Sequence, residues 1–81
     1  MPASPLSKRF GISVRKRRIA DGLSQENLAE RARLHPTYVS MVERGVRNPT
    51  LNVAARIAKA LKVDLPRLIE EAELQGKNGA K

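Results

Sequence analysis

SQENLAERARLHPTYVSMVERG, residues 24–45, decides how the rest of this chain folds. Ser24 suits a helix N-cap, because its hydroxyl can accept from an amide of the first turn. Asn27 stands where a capping box carries Glu or Gln, so the box is expected to be incomplete. Leu28 and Ala32 share a helix face at i, i+4, with Ala29 beside them. Pro36 can open a second helix, since proline lacks an amide that the first turn would orphan anyway. Val39 and Val42 give that helix its apolar stripe, and Gly45 ends it by accepting the left-handed conformation. Only Arg33, Leu34 and His35 separate the two helices. So short a link forces a steep crossing, and the small side chain of Ala29 lets the backbones approach. Two helices joined this way form a helix-turn-helix.

Outward from this unit the chain reads as more helix. Residues 8–21 form a first helix with Phe10, Val14 and Ile19 as apolar positions, and Leu23 follows the Gly22 stop. The basic run Arg15-Lys16-Arg17-Arg18 winds round this helix, and the stem of Arg17 is expected to snorkel over the core edge. After Gly45, Asn48-Pro49 marks a turn. Thr50 then caps a fourth helix over residues 51–61, with Leu51, Ala54, Ala55, Ile57, Ala58 and Leu61 on a wide apolar face suited to close packing. Asp64 is a suitable N-cap for a fifth helix with Pro66 in its first turn. Leu65, Leu68 and Ile69 face inward, and Ala72 continues the stripe. Residues 1–7 read as a loose arm, residues 8–74 as one domain and residues 75–81 as a flexible basic tail. No strand candidate, internal repeat or second domain is evident. The predicted fold is all-α, five short helices around a core of Leu, Val, Ile and Ala.

Composition narrows the function. At 81 residues the chain is near the size where a single core is only just sufficient. It has no cysteine, which excludes disulfides and thiolate-bound metal and fits a reducing cytoplasm. One histidine cannot make a zinc site, and no metal or other cofactor is expected. No apolar run is long enough to span a bilayer, and the N-terminus lacks a signal-peptide core. The net charge of +8 points to a polyanionic partner, nucleic acid or an anionic membrane surface. Catalysis is not expected. None of the acidic residues forms a telling pair with His35, and there is neither a Gly-rich phosphate loop nor a nucleophile elbow.

The stretch resembles the DNA-binding unit of the phage-repressor-like (XRE, or Cro/CI-type) transcriptional regulators. The resemblance runs from FGISVRKRRIADGLSQ through the helix-turn-helix to NPTLNVAARIAKALKVDLPRLI, about residues 10–69. It rests on small and apolar residues together at Ala29, Leu34, Val39 and Val42. It implies a compact five-helix repressor-like domain with helices 2 and 3 as its reading head. One departure is Arg33, where the family often has Gly at the corner. A non-glycine residue held at positive φ there costs about 1 kcal/mol. The resemblance further implies an ion pair between Arg18 and Glu43, joining helix 1 to helix 3. It also implies DNA-backbone contacts by Ser24 and Gln25 at the start of helix 2, and by Arg47 and Asn48 after helix 3. Thr-Tyr-Val-Ser in helix 3 and Arg-Asn after it are similar to the controller proteins of restriction–modification systems, and also to small phage-type repressors.

A helix in the major groove needs outward side chains that can meet base edges. Residues 36–44 offer Pro36, Thr37, Ser40, Met41 and Arg44. The hydroxyls of Thr37 and Ser40 can donate or accept, Met41 suits a thymine methyl, and Arg44 suits guanine or phosphate. Tyr38 could donate to phosphate or pack over the loop, and His35 fits the N-cap or turn. The function expected is sequence-specific binding of double-stranded DNA by a homodimer on a near-palindromic operator, regulating transcription in a bacterial or phage-type cytoplasm. The dimer patch is expected to use Leu65, Leu68, Ile69 and Leu74. No membrane or small-molecule ligand is expected as a partner. The competing expectations are an antitoxin, which also binds a protein, and a nonspecific basic nucleic-acid or membrane-surface binder.

Overall fold

The helix ends are set by local hydrogen bonds that the sequence already suggests. In the computed structural model, which describes residues 5–79 (76–79 by backbone alone), five helices follow one another. They are α1 Pro5–Ala20, α2 Gln25–Ala32, α3 Pro36–Glu43, α4 Leu51–Ala60 and α5 Leu65–Gly79, with no strand among the described residues. The fold is all-α. Ser24 Oγ accepts from the Asn27 amide at 2.9 Å, and Asn27 Oδ1 accepts from the Ser24 amide at 3.4 Å. The capping box is therefore closed, because Asn27 reaches back as Glu or Gln would. His35 Nδ1 caps α3 by accepting from the Thr37 amide at 3.1 Å, and Thr50 Oγ1 accepts from Val53 at the start of α4.

α1 lies against α3 and α5, α2 against α3 and α4, and α4 against α5. The core between them holds Phe10, Val14, Leu28, Val39, Val42, Ile57, Leu61 and Leu68, with alanines 29, 32, 54, 58 and 72 filling the close crossings. Several sequence expectations are corrected. α1 begins at Pro5 and not at residue 8, because proline is accommodated in a first turn. Residues 5–7 thus belong to the helix, and the remainder of the expected arm, residues 1–4, lies outside the described residues. α5 runs on to Gly79 where a tail was expected from residue 75. The long α1 gives it a surface to follow: Arg9 pairs with Glu73 at 3.1 Å, and Lys16 Nζ donates to Gln75 Oε1 at 3.2 Å. The rest of the expected tail, residues 80–81, is outside the described residues.

Leu51 and Ala55, expected on the apolar face of the fourth helix, are exposed, and so is Ile19 of α1. The buried stripe of α4 is 54, 57, 58, 61, from which Ala55 is turned away, and Leu51 projects from the first turn beyond its neighbours. On α1 the stripe that starts at Phe10 and Val14 continues at Arg17 and Arg18, so Ile19 falls beside it. Arg17 does not simply snorkel. It donates from Nε and Nη2 to the two oxygens of Glu71 at 2.8 and 2.6 Å.

α1 and α3 approach each other closely at Gly11. A Cβ there would lie 2.2 Å from the Val42 carbonyl oxygen and 2.9 Å from that of Glu43. Gly45 makes the matching approach: it ends the α3 turn at φ +74°, and a Cβ on it would come within 2.8 Å of Lys8. α1 and α3 therefore meet backbone to backbone.

Two outcomes follow from this packing. Gly11→Ala pushes α3 away from α1 and should cost about 1–3 kcal/mol, the range for overpacking a tight site. A lower urea midpoint at unchanged slope would register it, and an unaltered midpoint would mean that α1 and α3 are not in close contact. The second outcome concerns Glu71, whose carboxyl is held below its ordinary value of 4.5, chiefly by the hydrogen bonds from Arg17 and against the effect of burial. The pair's stabilisation is complete above about pH 4.5 and is lost as pH falls through the lowered folded-state value. Glu71→Gln should be less stable than the parent at pH 7 and converge on it under acid, which urea titrations at pH 7 and pH 3 would measure.

Candidate nucleic-acid interface

α3 is held from its inner side. Val39 and Val42 are fully buried, and Glu43, at the end of the helix, has a side chain only 3% exposed. Such a carboxylate needs partners, and it has three hydrogen bonds. Arg18 Nε donates to Oε2 at 2.6 Å, Arg18 Nη2 to Oε1 at 3.0 Å, and Gln25 Nε2 to Oε1 at 3.0 Å. The third nitrogen of Arg18 donates to the Leu23 carbonyl at 2.8 Å. One ion pair thus ties α1, the start of α2 and the end of α3 together. Gln25, expected to face a phosphate, spends its side-chain amide inside the protein on Glu43.

The corner between α2 and α3 keeps its geometry without glycine. Arg33 sits at φ 59°, ψ 47°, and its amide closes the last turn of α2. Leu34 N donates to Ala29 O at 2.8 Å. From α4, Arg56 Nε donates to the Ala32 carbonyl at 3.0 Å and its Nη2 to the Arg33 carbonyl. The sequence alone assigns Arg56 no role. Its one legible signal was a cation interrupting the alanine-rich α4, and nothing in the spacing told that it reaches two helix-end carbonyls.

The outer side of α3 carries no internal partners for its longer side chains. Thr37 and Arg44 are exposed, and Pro36, Ser40 and Met41 are half-buried. Thr37, Ser40 or Met41, and Arg44 succeed each other at three- or four-residue steps, so they line one face. Arg44 is the helix C-cap, with its backbone amide on Ser40 O at 3.0 Å. Tyr38 is partly buried against the core, and the Arg47 guanidinium lies 5.5 Å from its ring centroid, so packing over the loop is the arrangement realised. Asn48 is exposed beside Arg47. Ser24 gives its oxygen to the α2 cap and keeps its hydroxyl hydrogen free to donate outward. Arg44 and Arg47 make no ion pair among the described residues.

Of the residues expected at a dimer patch, one is unavailable to a partner. Leu68 is fully buried in this chain's own core, so that assignment is corrected. Leu65 and Ile69 are half-buried against the core, and Leu74 is 48% exposed. No group of His, Cys, Asp or Glu able to hold a metal ion occurs among the described residues, and no described helix is long and apolar enough to cross a membrane.

A helix clamped on its inner face, with a polar outer face and a basic loop following it, is the architecture of a helix-turn-helix. Residues 14–68 match the helix-turn-helix family model. The chain belongs to the XRE-type helix-turn-helix family of DNA-binding transcription regulators. It is 43% identical over 67 residues to control protein C.SmaI of Serratia marcescens, covering 83% of this chain and 80% of that one. It is 44% identical over 62 residues to control protein C.BamHI of Bacillus amyloliquefaciens, covering 75% and 76%. Among solved structures it is similar to the restriction-modification controller protein C.AhdI from Aeromonas hydrophila. That match has a TM-score of 0.75 and 42% identity, over 76% of this chain and 94% of that one.

The clamp makes a prediction that tests pairing against burial. Glu43→Leu leaves the Arg18 side chain, 12% exposed, without its counter-charge and should cost about 3–5 kcal/mol. The double change Arg18→Met/Glu43→Leu should recover most of that deficit, because no charge then remains buried. Denaturant unfolding of the parent, both single variants and the double variant decides it, and additive effects would show that the pair is not coupled.

Proposed function

We propose that the chain is a sequence-specific regulator of transcription that binds double-stranded DNA as a homodimer on a near-palindromic operator, in the cytoplasm. α3 lies in the major groove. The observation that carries this is the division of α3 into a buried inner face, held by Glu43, and a free outer face of Thr37, Ser40, Met41 and Arg44. Thr37, at the N-terminal end, meets base edges first in this docking geometry. Pro36 fits the groove wall, Ser40 adds an adaptable hydroxyl, Met41 meets a thymine methyl, and Arg44 takes guanine or phosphate. Ser24, the helix N-terminus at Gln25, Arg47 and Asn48 hold the phosphates on either side, with Tyr38 supporting Arg47.

Two heads are needed because one buries too little surface for tight, specific binding, and they sit about 34 Å apart on successive major grooves. Leu65, Ile69 and the exposed Leu74 of α5 contribute to the contact between copies. Likeness to control proteins C.SmaI and C.BamHI supports a controller role in a restriction–modification system.

Thr37→Ala should relax the base preference at one position of each half-site, while Arg47→Ala should weaken all sites alike and lower the salt slope of binding by about one unit. Competition titrations against single-base variants of the preferred site, repeated at several salt concentrations, separate the two. Equal weakening by Thr37→Ala on every duplex would contradict base readout. Sedimentation should show a concentration-dependent mass that Leu74→Glu shifts toward the monomer.

A further inference from the structure

The cations of this chain are not treated alike. Arg9, Arg17, Arg18 and Arg67 each face a carboxylate of α5 or α3. Arg31, Arg33, Arg56, Lys59 and Lys62 face none among the described residues, and all five line one open cleft of about 890 Å³. It lies where the C-terminal ends of α2 and α4 converge, and no acidic side chain lines it.

Two further features single the cleft out. The non-glycine residues at positive φ among the described residues are Arg33 (59°) and Lys62 (57°), and both are on its rim. Glycine is the cheaper residue at a left-handed helix end, so each position keeps a cation at a conformational cost. Cations do favour helix C-termini. That preference is met by one or two charges and does not explain five around one hollow, where they repel one another. The second feature is Arg56. Its guanidinium is fixed to the Ala32 and Arg33 carbonyls, so one wall of the cleft is a positioned cation and not a mobile one.

We propose that this cleft is a second phosphate-binding surface, which takes the backbone of the same DNA duplex outside the half-site read by α3. The inference rests on the function proposed above. The cleft's rim at Arg33 is three residues from Pro36, where α3 starts, so DNA lying along α3 continues past it. Phosphodiesters match it chemically: they are a row of single negative charges, accepted by guanidinium and ammonium groups without base preference.

The test uses Arg31→Gln/Lys59→Gln in the full chain, since both residues are exposed and neither side chain has a hydrogen bond within the described fold. Affinity is measured from 50 to 200 mM salt on two duplexes. One carries the preferred site with a helical turn of flanking DNA at each end, and the other is trimmed to the half-sites. On the flanked duplex the salt slope should fall by about 1.8 units, about 0.9 for each phosphate that the variant no longer neutralises. On the trimmed duplex it should not change, and base preference should be the same on both. An unchanged slope on the flanked duplex overturns the cleft while leaving the proposed function standing. So does an equal fall on both duplexes, which places the charges inside the half-site. A changed sedimentation coefficient of the DNA-free variant also overturns it, because the cleft then receives a second copy of the chain. If the parent itself shows no base preference, it is the proposed function that has failed.

Discussion

A carboxylate withdrawn from water at the end of α3 constrains everything around it. Glu43 cannot stay charged and buried unless cations and amides reach it, and the bundle is arranged so that they do. Arg18 approaches from α1 and Gln25 from α2, while Gly11 lets α1 come close enough for the pair to close at 2.6 Å. Burying two charges returns little net stability, because desolvation offsets most of their attraction. What the arrangement supplies is orientation. A helix of eight residues is too short to hold its own direction, so its direction is imposed at Glu43, at Val39 and Val42, and at the backbone contact with Gly11.

The opposite end of α3 is set by the corner. Arg33 occupies a left-handed conformation that glycine would adopt more cheaply, and Arg56 ties the Ala32 and Arg33 carbonyls at that strained residue to α4. The two ends of α3 are thus anchored to different helices, and the side chains facing outward are left without internal duties. A rigid rod with a free face is what base readout in the major groove requires. The surrounding charge has a pattern as well: acids of α5 neutralise α1, while the ends of α2 and α4 remain uncompensated.

Much of this was legible in the residue order. The spacing of Leu28, Ala32, Val39 and Val42, bracketed by Ser24, Pro36 and Gly45, places two short helices and their corner, and the structure has them there. Periodicity failed where a stripe changed chemistry. On α1 the apolar positions Phe10 and Val14 are continued by Arg17 and Arg18, so the next apolar residue, Ile19, lies off the stripe and faces solvent. Contacts between distant segments were the least readable. Arg17 with Glu71 and Arg56 with the corner carbonyls are separated by 54 and 23–24 residues, and no local rule links them. Nothing in the neighbouring residues marks Gly11 out, and only the position of α3 shows why a larger residue would not fit.

The central claim is that α3, clamped on one side, reads base order with the other. Selection of bound fragments from a pool of random-sequence duplexes tests it most directly. Enrichment of two inverted half-sites, centred about one helical turn apart, is the result this account predicts. A bound pool with no more base order than the starting pool would contradict it.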